Sequence, residues 1–104
     1  MKRNGNLLGL WVVRLGGVST TLLARVQNEL YVLAFSSAVR AGQCLDTLGA
    51  VGTPFYVCNA NVAGVVREAR DSGARGFIVD YDPERAMFSS AHALPSAQAL
   101  AELR

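Results

Sequence analysis

"LYVLAFSSAVRAGQCLDTLG", residues 30–49, changes its apolar period half-way along and so decides the fold. Leu30 to Phe35 is apolar without interruption, as expected of a strand covered on both faces or lying centrally in a sheet. Ser36 or Ser37 can then cap a helix by accepting bonds from its free amides. Ala38, Ala41, Leu45 and Leu48 follow on one stripe at helical spacing, with Arg40, Gln43 and Asp46 off it. Gly49 and Gly52 close that helix, and Pro54 prevents its continuation.

Upstream, Leu7 to Arg14 reads as a strand, its members Trp11, Val12 and Val13 suiting a pleated surface. Gly16 and Gly17 turn the chain. Thr20 to Val26 reads as a second strand, and the polar "QNE" is a break of hairpin length before Leu30. These three strands predict an antiparallel meander. Downstream, "PFYVC" (54–58) reads as a short fourth strand. Asn61 is a good cap for a second helix, with Val62, Val65, Val66 and Ala69 on the inner face. Arg67, Glu68, Arg70 and Asp71 lie outside, and Gly73 ends it. Gly76 to Asp80 is a fifth strand, and after Pro95 "SAQALAELR" reads as a short C-terminal helix. "FSSA" occurs at 35–38 and again at 88–91, which predicts a local turn around 87–91 rather than a repeat.

The 104 residues fit one domain, and 51% hydrophobic against 17% charged residues can bury a core. Net charge is only +2, and the nine arginines are scattered, so no dense positive face forms and nucleic acid is a poor partner. Cys44 and Cys58 are spaced wrongly for a CxxC motif and read as two buried, reduced thiols. Met1-Lys2-Arg3 before "LLGLWVV" resembles a signal peptide, but Arg14 interrupts the apolar stretch and no cleavage site follows. Residues 47–66 carry no charge, yet Gly49, Gly52, Pro54, Asn59 and Asn61 fit a turn and a strand, not a bilayer helix. The expectation is a cytoplasmic protein without a membrane span.

"GFIVDYDPER" (76–85) looks most like chemistry. If the strand persists, Asp80 and Asp82 share a face and offer two carboxylates to Mg²⁺ or Mn²⁺. The end of a strand is also where sites in α/β sheets sit. Against this, Asp-Pro-Glu-Arg starts turns: Asp82 bonds to the amides ahead, Pro83 presets its dihedral, and Glu84 suits the turn's positive end. Arg85 or Arg75 can neutralise Asp80. The structural reading is preferred, with no metal and no cofactor. His92, the single histidine, is the obligatory base for any Cys-His or Ser-His mechanism; in "SSAHALP" it reads as a surface or cap residue. One histidine and two distant cysteines supply too few ligands for a zinc site. "RLGGVSTT" (14–21) has the glycines and hydroxyls of an anion nest but lacks the lysine and helix of a P-loop, and reads as a glycine hairpin.

From Ala24 to Pro83, "LYVLAFSSAVRA" and "VVREARDSGARGFIVDYDP" resemble the SseB N-terminal domain family. The first resembles its strand and Phe-(Ser/Thr)-Ser helix start; the second resembles its helix, glycine turn and final strand. That resemblance implies a non-enzymatic α+β domain acting as an appendage or interaction module, and carries over no catalytic residue. The fold expected is therefore α+β: one mixed five-stranded sheet, an antiparallel meander plus βα units, with two main helices mostly on one face. Such a sheet keeps an uncovered apolar face, which marks a partner: a second copy of the chain or another protein. The alternative is a small-molecule-binding or metal-dependent enzyme using Asp80 and Asp82, with His92 and Arg85. An enzyme needs a concave polar pocket at the end of "GFIVDYD"; an interaction module needs a flat apolar face.

Overall fold

The computed structural model describes residues 7–15 and 21–95. Its elements are β1 (Trp11–Leu15), β2 (Leu23–Val26), β3 (Glu29–Ala34), α1 (Ala38–Leu48), β4 (Gly52–Tyr56), α2 (Val62–Asp71), β5 (Ala74–Val79) and β6 (Ser90–Ala93). The α+β class stands. The Gly16–Gly17 turn, most of "RLGGVSTT" and the expected C-terminal helix lie outside the described residues.

The single five-stranded sheet is corrected to two sheets, β1-β4 and β2-β3-β5-β6. The division has a local cause. β2 and β3 form the expected hairpin, closed by Gln27 and Asn28, both at positive φ (53° and 70°) as a two-residue primed turn requires. That hairpin occupies the edge of β3 along Glu29–Val32. Only the end of the same edge is left for β1, which takes it through two bonds: Trp11 N–H to Phe35 O (2.8 Å) and Phe35 N–H to Trp11 O (2.7 Å). Among the described residues β1 meets the segment before β2 only at an isolated Arg14–Thr21 bridge, so the expected three-strand meander is not seen there. β1 instead pairs antiparallel with β4 from Trp11–Tyr56 to Leu15–Gly52, which starts β4 two residues earlier than its apolar run.

The two helices do not share a face. Along β3, Val32 and Ala34 pack with Val62, Val65, Val66 and Ala69 of α2, while Leu33 and Phe35 pack with Ala41, Cys44 and Leu45 of α1. Alternate residues of a strand point to opposite faces, so one helix covers each side. The topology explains why. β3 and β5 pair in parallel, and β4 runs with them because both β4 and the end of β3 are antiparallel to β1. The α1 crossover leads from β3 past β1 to β4; the α2 crossover returns from β4 to the other edge of β3. Crossovers in opposite directions land on opposite faces when both keep the usual right hand.

Helix ends follow the sequence in part. Ser37 caps α1, its Oγ accepting from Arg40 N–H at 3.2 Å, and Gly49 N–H caps the other end. Ala41 and Leu45 are buried as expected and Cys44 joins them, whereas Leu48, expected on the same stripe, is exposed in the last turn of the helix. In α2, the four inner residues Val62, Val65, Val66 and Ala69 are all buried. Asn61 does not cap α2 with its side chain. It turns backward instead: Oδ1 accepts from Cys58 N–H (3.0 Å) and Nδ2 donates to Tyr56 O (3.1 Å). Glu68, expected outside, is half-buried and accepts from Arg14 Nη1 (2.7 Å) and Thr21 Oγ1 (3.1 Å). The Arg14 guanidinium also lies over Phe55, 4.6 Å from the ring centroid. This cluster ties the β1–β4 pair to α2.

β6 is the element the sequence did not announce. Residues 90–93 pair antiparallel with β5, from Val79–Ser90 to Gly76–Ala93. The close approach needs Gly76, since a Cβ there would run into the His92 carbonyl. The two "FSSA" copies have different fates. The first starts α1; the second enters β6, with Ser89 N–H bonded to Val79 O at 2.8 Å.

Candidate functional site

The site is built where β3 and β5 end side by side. Asp80 N–H still completes the parallel ladder by donating to Ala34 O (2.8 Å), but its φ of 57° stops the strand there. Asp80 therefore leaves the sheet and turns toward the start of α1. Both of its carboxylate oxygens are used: Ser36 N–H donates to Oδ1 and Ser36 Oγ to Oδ2, each at 2.9 Å. The cation nearest Asp80 is Arg40, with Nε 4.0 Å from Oδ2, rather than Arg85 or Arg75. Arg75 pairs with Glu29 (3.7 Å) and Arg85 with Asp82 (3.4 Å).

Asp82 is a turn residue in the sense its sequence suggested. Its Oδ1 accepts from Glu84 N–H at 3.0 Å, and its backbone bonds to Met87 close the loop. Asp80 and Asp82 do reach one site, brought there by this turn and not by strand alternation.

Between that turn and α1 lies a cleft of about 220 Å³. One wall is the strand exit, Asp80 to Pro83. The other is a stripe of α1, Arg40, Gln43, Cys44 and Thr47, at spacings of three and four residues that place them on one helix face. Phe35 lies at its base. Cys44 is buried, and that burial, seconded by the negative charge of Asp82, pushes its thiol pKa up. It sits in the cleft as a protonated thiol, which is a poor nucleophile. Cys58 is free and only half-buried, so the expectation of two buried thiols holds for Cys44 alone.

His92 is not brought to this site. On β6 it stacks on Phe77 (centroids 5.0 Å apart, 27° between planes), and Nε2 lies 2.9 Å from Ser90 Oγ. Phe77 belongs to the core on the α2 side, whereas the cleft opens on the α1 side, so the sheet separates them. His92 is thus a strand residue, not one in a loop. Arg85 touches Asp82 without forming the cleft wall. Of the four residues of the catalytic alternative, the structure joins Asp80 and Asp82, adds Arg85 at the margin, and leaves His92 out. Among the described residues, no three histidine, cysteine, aspartate or glutamate side chains converge on a metal-sized site.

Arg40, Gln43 and Thr47 are the residues that sequence reasoning missed. Their spacing was visible, but a cleft wall and a solvated helix face carry the same polar pattern. Only the parallel β3–β5 pairing shows that Asp80 stands opposite. Comparison with protein-family models, curated proteins and solved structures finds no match for the chain. No helix among the described residues is long and apolar enough to cross a membrane.

Proposed function

We propose that this chain is a small non-enzymatic binding domain whose cleft between α1 and the exit of β5 holds a small polar ligand. The observation that carries the reading is position. In open sheets with crossover helices on both faces, ligands bind outside the carboxyl ends of the strands where the crossover direction reverses. Here the reversal falls at β3, and a concavity with both polar and apolar lining lies at its end. Binding is favoured over catalysis because the thiol in the cleft is held protonated, the histidine is on the other side of the sheet, and Asp80 is occupied by Ser36. Amide chemical-shift mapping against a library of small polar metabolites tests it. Hits should cluster on Arg40, Gln43, Tyr81 and Asp82; a library that moves none of these, or hits confined elsewhere, overturns the reading.

A second reading, self-association or another protein partner, keeps one supporting observation. Its first premise, an uncovered sheet face, is gone once a helix lies on each side. Among the described residues, however, no strand pairs with the outer edge of β6, and Met87 (61% exposed) and Phe88 (38%) precede it. An open edge beside exposed apolar side chains is a template for pairing with a second chain. The SseB-like resemblance points the same way. Light scattering tests it: a strictly monomeric mass at high micromolar concentration rules out the homodimer.

A further inference from the structure

We propose that the ligand of the cleft is a small zwitterion carrying one ammonium and one carboxylate, as an α-amino acid does; this rests on the ligand-binding reading above. Charge is divided between the two walls. Arg40 stands on the α1 wall with its side chain 61% exposed, and the cleft carboxylate nearest it is 4.0 Å away, beyond hydrogen-bond distance. Beyond this long ion pair with Asp80 its guanidinium makes no hydrogen bond to the described residues, so its donor fork retains the capacity to grip a carboxylate through two parallel bonds. Gln43, about one turn further along, adds an amide to the same wall.

The strand-exit wall is acidic. Asp80 is turned toward Ser36, whereas Asp82 Oδ2 accepts from Arg85 Nη1 at 3.4 Å in an exposed ion pair that solvent screens heavily and that an entering ammonium can displace. Asp82 is therefore the group that can receive an ammonium. A simple anion entering here would meet Arg40 and be repelled by two carboxylates. A simple cation would meet the carboxylates and be repelled by Arg40 and Arg85. A molecule with both charges satisfies both walls in one orientation. Size agrees: about 220 Å³ is roughly the liquid volume of seven waters, which gives room for a small amino acid. Phe35 and Cys44 add an apolar contribution to the lining.

The test is amide shift mapping and calorimetry on the full chain with four probes: the common α-amino acids, propionate, ethylamine and glucose. The expected result is saturable binding of at least one amino acid, mapped to Arg40, Gln43 and Asp82. Propionate and ethylamine should bind at least about tenfold more weakly, or about 1.4 kcal/mol. Arg40→Gln and Asp82→Asn should each weaken amino-acid binding by a similar factor. Both residues are partly exposed, and the asparagine side chain retains an oxygen to accept from Glu84 N–H, so circular dichroism should be unchanged. If propionate, ethylamine or glucose binds the cleft as tightly as any amino acid, the zwitterion class is wrong and the ligand-binding reading survives. If no probe and no wider metabolite library moves the cleft amides, both fall.

Discussion

Asp80 is the residue whose replacement tests the site and the fold together. It ends β5 at φ 57°, a left-handed conformation that costs an ordinary L-residue about 1–2 kcal/mol and that Asp and Asn tolerate better. Its carboxylate takes two charge-assisted bonds from Ser36, both at 2.9 Å. Bonds to a charged group contribute about 1.5–3 kcal/mol when sheltered; Ser36 is exposed, so about 1 kcal/mol each is the appropriate figure here. Asp80→Ala loses both bonds and forces a Cβ-bearing residue without local polar help into the left-handed region, a total of about 3 kcal/mol. Asp80→Gly loses the bonds but relaxes the backbone, for about 1–2 kcal/mol. Asp80→Asn keeps the conformation and one acceptor, for about 1 kcal/mol. The order of damage is Asn, then Gly, then Ala, and at about 4–8 °C per kcal/mol the alanine variant melts about 12–24 °C lower. Urea unfolding followed through the single tryptophan, Trp11, which bridges Phe35 beside Ser36, reads each value. An alanine variant within about 0.5 kcal/mol of the parent, or an asparagine variant as damaged as the alanine one, refutes this account of the turn.

Val66 is fully buried on the α2 face, so Val66→Asp places an unpaired charge in the core and should leave the chain unfolded by circular dichroism; native-like ellipticity would mean a wrong helix register. Gly76→Ala should detach β6 from β5 at a cost of about 3 kcal/mol or more, seen as loss of amide protection at Ser90–Ala93 before the rest of the sheet exchanges. The two thiols should differ. Cys58 should react with a disulfide reagent in the native state and Cys44 only on unfolding, and equal native rates would contradict the burial of Cys44. Because the folded Cys44 pKa is raised above its unfolded value, its contribution is complete below the unfolded thiol pKa. It is lost as pH climbs through the folded one, so stability should fall on the alkaline side, less steeply in Cys44→Ala.

What the sequence made legible was local. The inner stripe of α2, the cap at Ser37, the β2–β3 hairpin and the turn begun by Asp82 each depend on residues within a few positions of one another. What it hid was decided at long range. "SAHA" has no β-branched residue or large aliphatic one to announce a strand; β6 exists because Gly76 lets it approach and because His92 can stack on Phe77. The choice of faces was hidden for the same reason. An amphipathic helix states that it has an inside, not which side of the sheet it will cover, and only the order of the strands settles that.

That order also connects the fold to the cleft. Had both helices covered one face, the strand ends would have been closed by two neighbouring helix starts, and the other face would have needed a partner. With the crossovers running in opposite directions, α1 alone flanks the exit of β5 on its side, and the turn at 80–83 becomes the facing wall. The two aspartates then divide the work. Asp80 commits its carboxylate to Ser36, which fixes the distance between the walls, and so acts as a positioning residue. Asp82, two residues further out, accepts from Glu84 N–H through Oδ1 and from the exposed Arg85 Nη1 through Oδ2, so only the second, solvent-screened contact has to yield to an entering ammonium. A sequence reading that treats the pair as equivalent ligands for one ion, or dismisses both as turn formers, misses this division, because it rests on a serine forty-four positions away.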